Sequence, residues 1–475
     1  MLYSSYTFLF MFLPIALALY YLSPKNMKNI TLLLLSLFFY SWGQPFYAVL
    51  LVLSSLIDFY LGLLMQKVTE NAKRRKLIFI FSLCLNIIFL FIFKYLSFLI
   101  DYQNIIFGLD INAFRFEFPI GISFLVLQKL SYLIDVYNLK IKPTKSFLEY
   151  LLYVVLFMKI LAGPLMRFAD FQKQLRNKRV DTEKIASGIN LFIVGLAKKV
   201  LIANNIYGLW ESVKETSFEQ LSMLSAWLGI VGFAFSIYFD FSGYCDMGVG
   251  LGKIFGFDFA RSFYYPYTAK NISEFCRRWY TTLGDWFREY VYFPLGGFRK
   301  GKFKGAINAV VVTVLTAIWY GSGWNYLLWG FYLSIILIFE RFISGKIIKL
   351  LPKVFQVTYA FILILFGWVI FEVGNGNATI YATIVQSLKY IFAMVNGNNI
   401  IADANSSYLI TTYGVVLIVG FVGASKLLEK LYERFIFKSA VAKNYIIPVL
   451  QGIIFVICII FLIDKNDFSF LNYKL

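Results

Sequence analysis

Asp240-Phe241-Ser242-Gly243-Tyr244-Cys245-Asp246-Met247 opens the stretch, closing at Gly330, that decides how this chain is read. Within it follow Phe275-Cys276-Arg277-Arg278-Trp279-Tyr280, Asp285-Trp286-Phe287-Arg288-Glu289-Tyr290, Pro294-Leu295-Gly296-Gly297 and Ile318-Trp319-Tyr320-Gly321-Ser322-Gly323-Trp324-Asn325. Acids, arginines and aromatics are concentrated here between apolar runs of membrane length. A charge at membrane depth is expensive, so such groups face one another or a cavity and mark function.

Outward from this stretch the chain is apolar. Of 475 residues, 60% are hydrophobic, 20% aromatic and only 15% charged. A soluble domain carries nearer 25% charged residues, so the class is a polytopic membrane protein. Apolar runs cover Tyr3 to Leu22, Ile30 to Trp42, Phe46 to Met65 and Leu77 to Ile100. After a Pro/Gly-broken start at Phe118 come a helix bearing Gln128, Tyr132 and Asp135, then Tyr150 to Ala162, Ile185 to Ala203 and Leu221 to Phe239. Ala306 to Trp319, Tyr326 to Phe342, Val357 to Phe371, Ser407 to Gly423 and Tyr445 to Ile463 complete the set. At about 20 residues per crossing this gives about ten to twelve membrane segments, some re-entrant, in a single all-α domain over residues 1–475. The motif-bearing core spans about residues 115–330.

The formal net charge of +19 sits in short loops such as Lys73-Arg74-Arg75-Lys76. That is the positive-inside pattern, which also favours anionic lipid headgroups; it does not suit a nucleic-acid binder. Lys25/Lys28 and Lys67 to Lys76 fall on one side, expected to be cytoplasmic, which puts the N-terminus outside. Met1 to Leu22 lacks a basic n-region and a cleavage site and reads as a first transmembrane helix. Cys84, Cys245, Cys276 and Cys458 show no CxxC spacing, so neither a disulfide framework nor a metal site is expected.

The polar core admits a bland and a sharp reading. Arg277, Arg278, Asp285, Arg288 and Glu289 suit either a solvated interfacial helix or a buried network, with Arg278, Asp285 and Arg288 on one helical side. Asp240 to Gly243 suits a helix interrupted at Gly243, with Ser242 satisfying freed backbone groups beside a cavity. Gly296-Gly297 reads as a tight turn. Trp279, Trp286, Trp319, Trp324 and Trp329 are more often belt or core than a ligand box.

The motifs, taken together, resemble the membrane-bound O-acyltransferase family, in its bacterial alginate O-acetyltransferase-like branch. They are Pro119 to Phe124, Leu130 to Tyr137, Ala162 to Arg167, Gly195-Leu-Ala-Lys-Lys-Val200, Asp240 to Asp246, Gly250-Leu-Gly252, Asn271 to Trp279, Trp286 to Tyr290, Pro294 to Gly297 and Trp319 to Trp324. They lie in family order. The resemblance implies a helix bundle with a central polar funnel, where half-depth openings for donor and acceptor meet near Tyr320. It implies transfer of an acetyl or other small acyl group to hydroxyls of an extracellular polysaccharide or cell-wall polymer, in the bacterial cytoplasmic membrane. No cofactor or metal is bound; the acyl donor, acetyl-CoA or a carrier-linked acyl group, is a substrate. Membrane lipids and an extracytoplasmic hydrolase-like acyltransferase are the implied partners. The residues from Asp467 to Leu475 depart from the family's usual ending.

The sequence also departs from the family at its centre. The family carries histidine at the positions of Tyr280 and Tyr320, the latter catalytic, and this chain has no histidine anywhere. Imidazole, with a pKa of about 6.5, accepts and returns a proton near neutrality; a phenol, at about 10, does not. Asp240, Asp246 or Glu289 would have to supply the base. Asp240, Ser242, Asp246, Arg277, Arg278, Trp279, Trp319 and Asn325 are the expected pocket residues, or else structural supports for broken helices. Three outcomes stand open: an acyltransferase using Tyr320 and acids, a catalytically silent relative, or a scaffold that conducts lipid or acyl donor.

Overall fold

The computed structural model describes residues 1–111, 119, 121–160, 163–178, 180–297, 299, 301–374, 379–396, 400–431, 434, 441 and 445–464. The segment start expected at Phe118, the segment end and motif start at Ala162, and the tail from Asp467 lie outside the described residues. Among those described, regular structure is entirely helical. That follows from the composition: in lipid a backbone satisfies itself only within helices or closed barrels.

Among the described residues, eight helices are long and apolar enough to cross a membrane: Pro45–Lys67, Ala72–Lys94, Thr182–Lys214, Met223–Ile254, Phe303–Tyr320, Trp324–Ile343, Lys353–Glu372 and Ala404–Gly423. Three further apolar helices among the described residues, Thr7–Leu22, Lys28–Ser41 and Ile447–Ile463, are shorter than a full crossing, so eight helices meet the length criterion where ten to twelve segments, some re-entrant, are expected. Met223–Ile254 is the axis of the bundle, with 78% of its apolar window buried inside the protein.

Three expectations are corrected. Asp240 to Gly243 does not interrupt a helix; Met223–Ile254 runs through it for 32 residues. Gly243 is there for close packing instead. A Cβ on Gly243 would lie 2.6 Å from the Gly195 carbonyl oxygen, and one on Gly195 would lie 2.5 Å from that of Gly243. Gly188 and Gly250 repeat the reciprocal contact one heptad away, at 2.7 and 2.6 Å. Small residues on facing helices let the backbones touch, which no side chain larger than hydrogen would allow.

The expected helix over Leu77 to Ile100 stops at Lys94 and restarts at Leu96–Phe107, because Lys94 and Tyr95 turn away to cap another helix. The expected segment from Tyr150 forms only Phe147–Val155, nine residues, followed by a 3-10 turn at Phe157–Lys159. It is too short to cross a membrane and is enclosed by protein, with residues 150–159 all buried.

The starts and turns follow the sequence more closely. Ile122–Tyr137 begins after Gly121, which takes φ 74°, and a Cβ there would strike the Ile160 carbonyl oxygen at 2.5 Å. Gly296 and Gly297 form the expected turn with φ of 100° and 51°.

Candidate active site

Two short helices and one long one build the site. Ile272–Arg278 starts with its free N–H groups taken: Asn271 Oδ1 accepts from Glu274 N at 2.8 Å, and the buried Glu340 carboxylate accepts from Ile272 N at 2.8 Å and Ser273 N at 3.1 Å. A helix start is electropositive and short of acceptors, so a carboxylate there is favourable. The helix then breaks. Trp279 is extended and Tyr280 adopts the left-handed conformation, φ 42° and ψ 61°, before Thr281–Phe287 begins. Arg278, Asp285 and Arg288 therefore do not share one continuous helix, which corrects the expected alignment. Asp285 and Arg288 pair with each other at 2.7 Å, both about half exposed. Arg278 instead bonds Thr268 Oγ1 at 2.8 Å and Glu274.

The break drives two aromatic side chains inward. Trp279 is 6% exposed and Tyr280 1%. Tyr280 donates its phenol proton to the Gly163 carbonyl at 3.2 Å, and burial holds that phenol well above its ordinary pKa.

Tyr320 arrives from the other side as the last residue of Lys302–Tyr320. The final carbonyls of a helix lack partners within it. Here Tyr95 donates to the Ile318 carbonyl at 2.7 Å, and the buried Lys94 Nζ donates to the Trp319 carbonyl at 2.5 Å and to Ser123 Oγ at 2.9 Å. These donors meet two of the open carbonyls, so Lys94 and Tyr95 fix the end that carries Tyr320.

The two arms meet where Trp279 Nε1 donates to Tyr320 Oη at 3.0 Å. Trp279, Tyr280 and Tyr320 line one cavity of about 390 Å³, walled by Phe275, Leu283, Phe287, Val312, Thr316, Trp329 and Leu333 and bordered by Arg277, Asp285 and Arg288. A larger cavity of about 570 Å³ shares Arg277, Ala309 and Leu337 with it and adds Arg341 and Lys349. The approach is cationic and the interior apolar and aromatic.

The other expected pocket residues lie elsewhere. Asp240 is fully buried against Lys199 at 2.6 Å, and Asp246 pairs with Lys198 at 2.6 Å, so both tie Met223–Ile254 to Thr182–Lys214. Ser242 is buried on the same central helix. Trp319 backs Tyr320 and donates to the Ser123 carbonyl at 3.2 Å, and Asn325 donates to the Phe371 carbonyl. Glu289 binds Lys140 at 2.8 Å and Arg167. Of these, none lines the Tyr320 cavity. Among its described lining residues Asp285 is the sole carboxylate, and it is paired with Arg288. Sequence reading took Trp329 for belt or core, whereas it lines the cavity, and missed Lys94, Thr316, Arg341 and Lys349. Only Lys94 carried a signal, a lysine inside an apolar run.

A many-helix bundle with eight helices of membrane length, and an aromatic cavity lined by residues of its motifs, defines a multi-pass membrane protein. The model of the MBOAT, membrane-bound O-acyltransferase family, matches residues 125–383. A probable alginate O-acetylase of Azotobacter vinelandii is 32% identical over 426 residues, covering 89% of this chain and 84% of that protein. A peptidoglycan O-acetyltransferase of Helicobacter pylori is 32% identical over 437 residues, covering 84% and 81%. A teichoic acid D-alanyltransferase of Bacillus subtilis is 26% identical over 273 residues, covering 53% and 68%. The chain belongs to the membrane-bound O-acyltransferase family.

Proposed function

We propose that this chain serves the transfer of a small acyl group, acetyl first, from a thioester donor to a hydroxyl of an extracellular polysaccharide or cell-wall polymer, with Tyr320 at the reacting position. The observation that carries the site assignment is the Trp279–Tyr320 contact inside the cavity. Because the Tyr320 oxygen accepts the indole N–H, its own proton is left to donate, and a hydroxyl polarised in this way is a stronger donor. It would bind the acyl carbonyl oxygen and stabilise the negative charge that grows there when the acceptor oxygen attacks carbon. The C–S bond then breaks, and the acceptor's proton ends on the leaving thiolate.

Arg277, Arg341 and Lys349 at the approach favour an anionic donor, which acetyl-CoA and a phosphopantetheine-borne acyl group both are. The basic loops at Lys25, Lys28 and Lys67 to Lys76 support a cytoplasmic membrane location with the N-terminus outside, and in this reading the approach opens to the cytoplasm, where such donors are found. An external hydroxyl acceptor, and a hydrolase-like partner to carry the acyl group onward, complete the reading.

A second reading has its own support. The described cavity holds no group that removes a proton at neutral pH apart from the ion-paired Asp285, so general-base assistance, worth about 10²–10⁴-fold, is missing. A silent relative would keep the chamber and lose the reaction; a donor- or lipid-conducting scaffold would pass its cargo through it. Acyl transfer to the polymer, measured in cells lacking their own polymer acetyltransferase, separates these readings. Turnover by the unaltered chain, lost in Tyr320→Phe, supports the first. Turnover that appears only in Tyr320→His supports the second.

A further inference from the structure

A third cavity of about 320 Å³ lies on the other side of Thr281–Phe287, lined from that helix by Thr282, Asp285 and Trp286. Gln128 lines it from Ile122–Tyr137, 1% exposed, and neither its amide oxygen nor its amide nitrogen has a hydrogen-bond partner among the described residues. A buried amide left unpaired is destabilising, so a hydrogen-bonding group entering the cavity would gain by meeting it.

The neighbours narrow the chemistry. Trp286 has spent its N–H on the Leu127 carbonyl at 3.0 Å and Tyr290 its hydroxyl on Asp135 at 2.8 Å, so both offer ring surface. Gln174 has both ends of its amide bonded to the Asp258 backbone, at 3.0 and 2.7 Å. The charges of Arg167, Asp258 and Asp285 are met by Glu289, Lys184 and Arg288. What remains is an amide offering N–H donors and a carbonyl acceptor, the exposed Asp170 carboxylate as a further acceptor, and apolar rings. Adjacent hydroxyls match this set, since each donates and accepts, while their C–H faces pack on rings. A phosphate would meet the free Asp170 and no unpaired cation among the described lining residues.

We propose that this cavity is a second binding site, for a neutral polyol of the sugar-hydroxyl class, either a free saccharide or the sugar headgroup of a glycolipid. It is not a reacting site, because its lining does not include Tyr320. It abuts the reaction chamber through the 163–167 segment: Pro164 to Arg167 line the polyol cavity, and the Gly163 carbonyl holds the Tyr280 hydroxyl. Occupancy would thus be felt at Tyr280.

Binding is the test, and it does not depend on turnover, so it stands apart from the acyl-transfer reading. The full chain, purified in a detergent without a sugar headgroup, is titrated with maltose, with potassium phosphate and with methylammonium chloride, and saturation is followed by ligand-observed NMR. Nanodiscs containing a diglucosyl lipid form the parallel arm. The expected result is saturable maltose or glycolipid binding, weakened roughly tenfold or more by Gln128→Leu and several-fold by Asp170→Asn, with no saturable phosphate binding. Binding in the soluble arm assigns a free saccharide, and binding in the lipid arm alone a headgroup. Gln128→Leu should melt no lower than the parent, since it removes an unsatisfied amide, so lost binding is not lost fold. No saturable polyol binding in either arm, polyol binding indifferent to Gln128→Leu, or preference for methylammonium over maltose each overturns the proposal.

Discussion

Trp279 Nε1 lies 3.0 Å from Tyr320 Oη and donates to it, joining a kinked short helix to the end of a long one. Tyr320→Phe removes the hydroxyl that would meet the acyl oxygen and leaves a buried indole N–H unpaired. Residual acyl transfer by the parent is expected to fall about 10²–10³-fold, the usual loss for one oxyanion donor. Tyr320→His is expected to raise turnover above the parent by about 10²–10⁴-fold, by restoring a base. Polymer acetylation in a deficient strain reads both. Equal rates in the parent and the phenylalanine variant would remove the phenol from the reaction.

Arg277 borders both the approach and the chamber and is exposed. Arg277→Ala is expected to raise KM for an anionic acyl donor about tenfold while leaving kcat within a factor of about two, because a rim charge acts on capture more than on chemistry. The KM difference from the parent should shrink as salt rises from 50 to about 500 mM, as screening shortens the reach of the charge. Initial rates against donor concentration at two salt levels check this. A kcat effect alone would place Arg277 in the reaction and not in donor capture.

Much of this architecture was legible because lipid leaves few choices. Apolar run length gave the long helices, and Gly121 and Gly296-Gly297 marked a helix start and a turn. Partner choice was not legible. Asp240 reads as a cavity acid until Lys199 is seen beside it, and Gly243 reads as a break until the Gly195 backbone is found against it. Both depend on contacts between separate helices that no local pattern encodes. The break at Tyr280 was hidden for a related reason, since its left-handed backbone is imposed from outside: Tyr264 N donates to the Arg278 carbonyl and Thr281 N to that of Ser262.

Gly195→Ala tests the packing of the axis. Its new methyl would sit 2.5 Å from the Gly243 carbonyl, and backbone cannot swing aside as a long side chain can. A loss of roughly 1–3 kcal/mol is expected, the range for overpacking, seen as a lower melting temperature in detergent. Gly452→Ala, with nothing within 4 Å of the added methyl, is the control and should leave the melting temperature within about a degree or raise it slightly.

Asp403 gives the fold a pH dependence outside the membrane spans. It caps Ala404–Gly423 through Ser406 N at 2.8 Å and accepts from the Ser222 and Ser225 hydroxyls at 2.9 and 3.3 Å, tying that helix to the start of Met223–Ile254. Burial alone would raise its carboxyl pKa, but the hydrogen bonds from Ser406, Ser222 and Ser225 outweigh it and hold the pKa below the usual value. The native state therefore binds fewer protons than the unfolded one. The stabilisation is complete above the ordinary aspartate range, near 4, and is lost as pH falls through the lowered native pKa. Asp403→Ala should cost about 1 kcal/mol at neutral pH, and its gap from the parent should close on acidification. Melting of both from pH 7 down to about 3 shows whether it does; a gap constant with pH would rule out the carboxylate as its source.

Asp240 and Lys199, 2.6 Å apart and at most 1% exposed, separate pairing from catalysis. If their role is to join two helices, Lys199→Met should destabilise by roughly 3–5 kcal/mol, because it strands a buried carboxylate. Lys199→Met with Asp240→Leu should recover most of that loss, since apolar side chains of similar volume replace a buried pair at little penalty. If Asp240 instead acts on the substrate, the double variant would recover stability and still lose turnover. Melting temperature and acyl transfer, measured side by side on the parent or on Tyr320→His where only that variant turns over, therefore point in different directions for the two roles. The ion pair away from the chamber predicts that the double variant recovers both together.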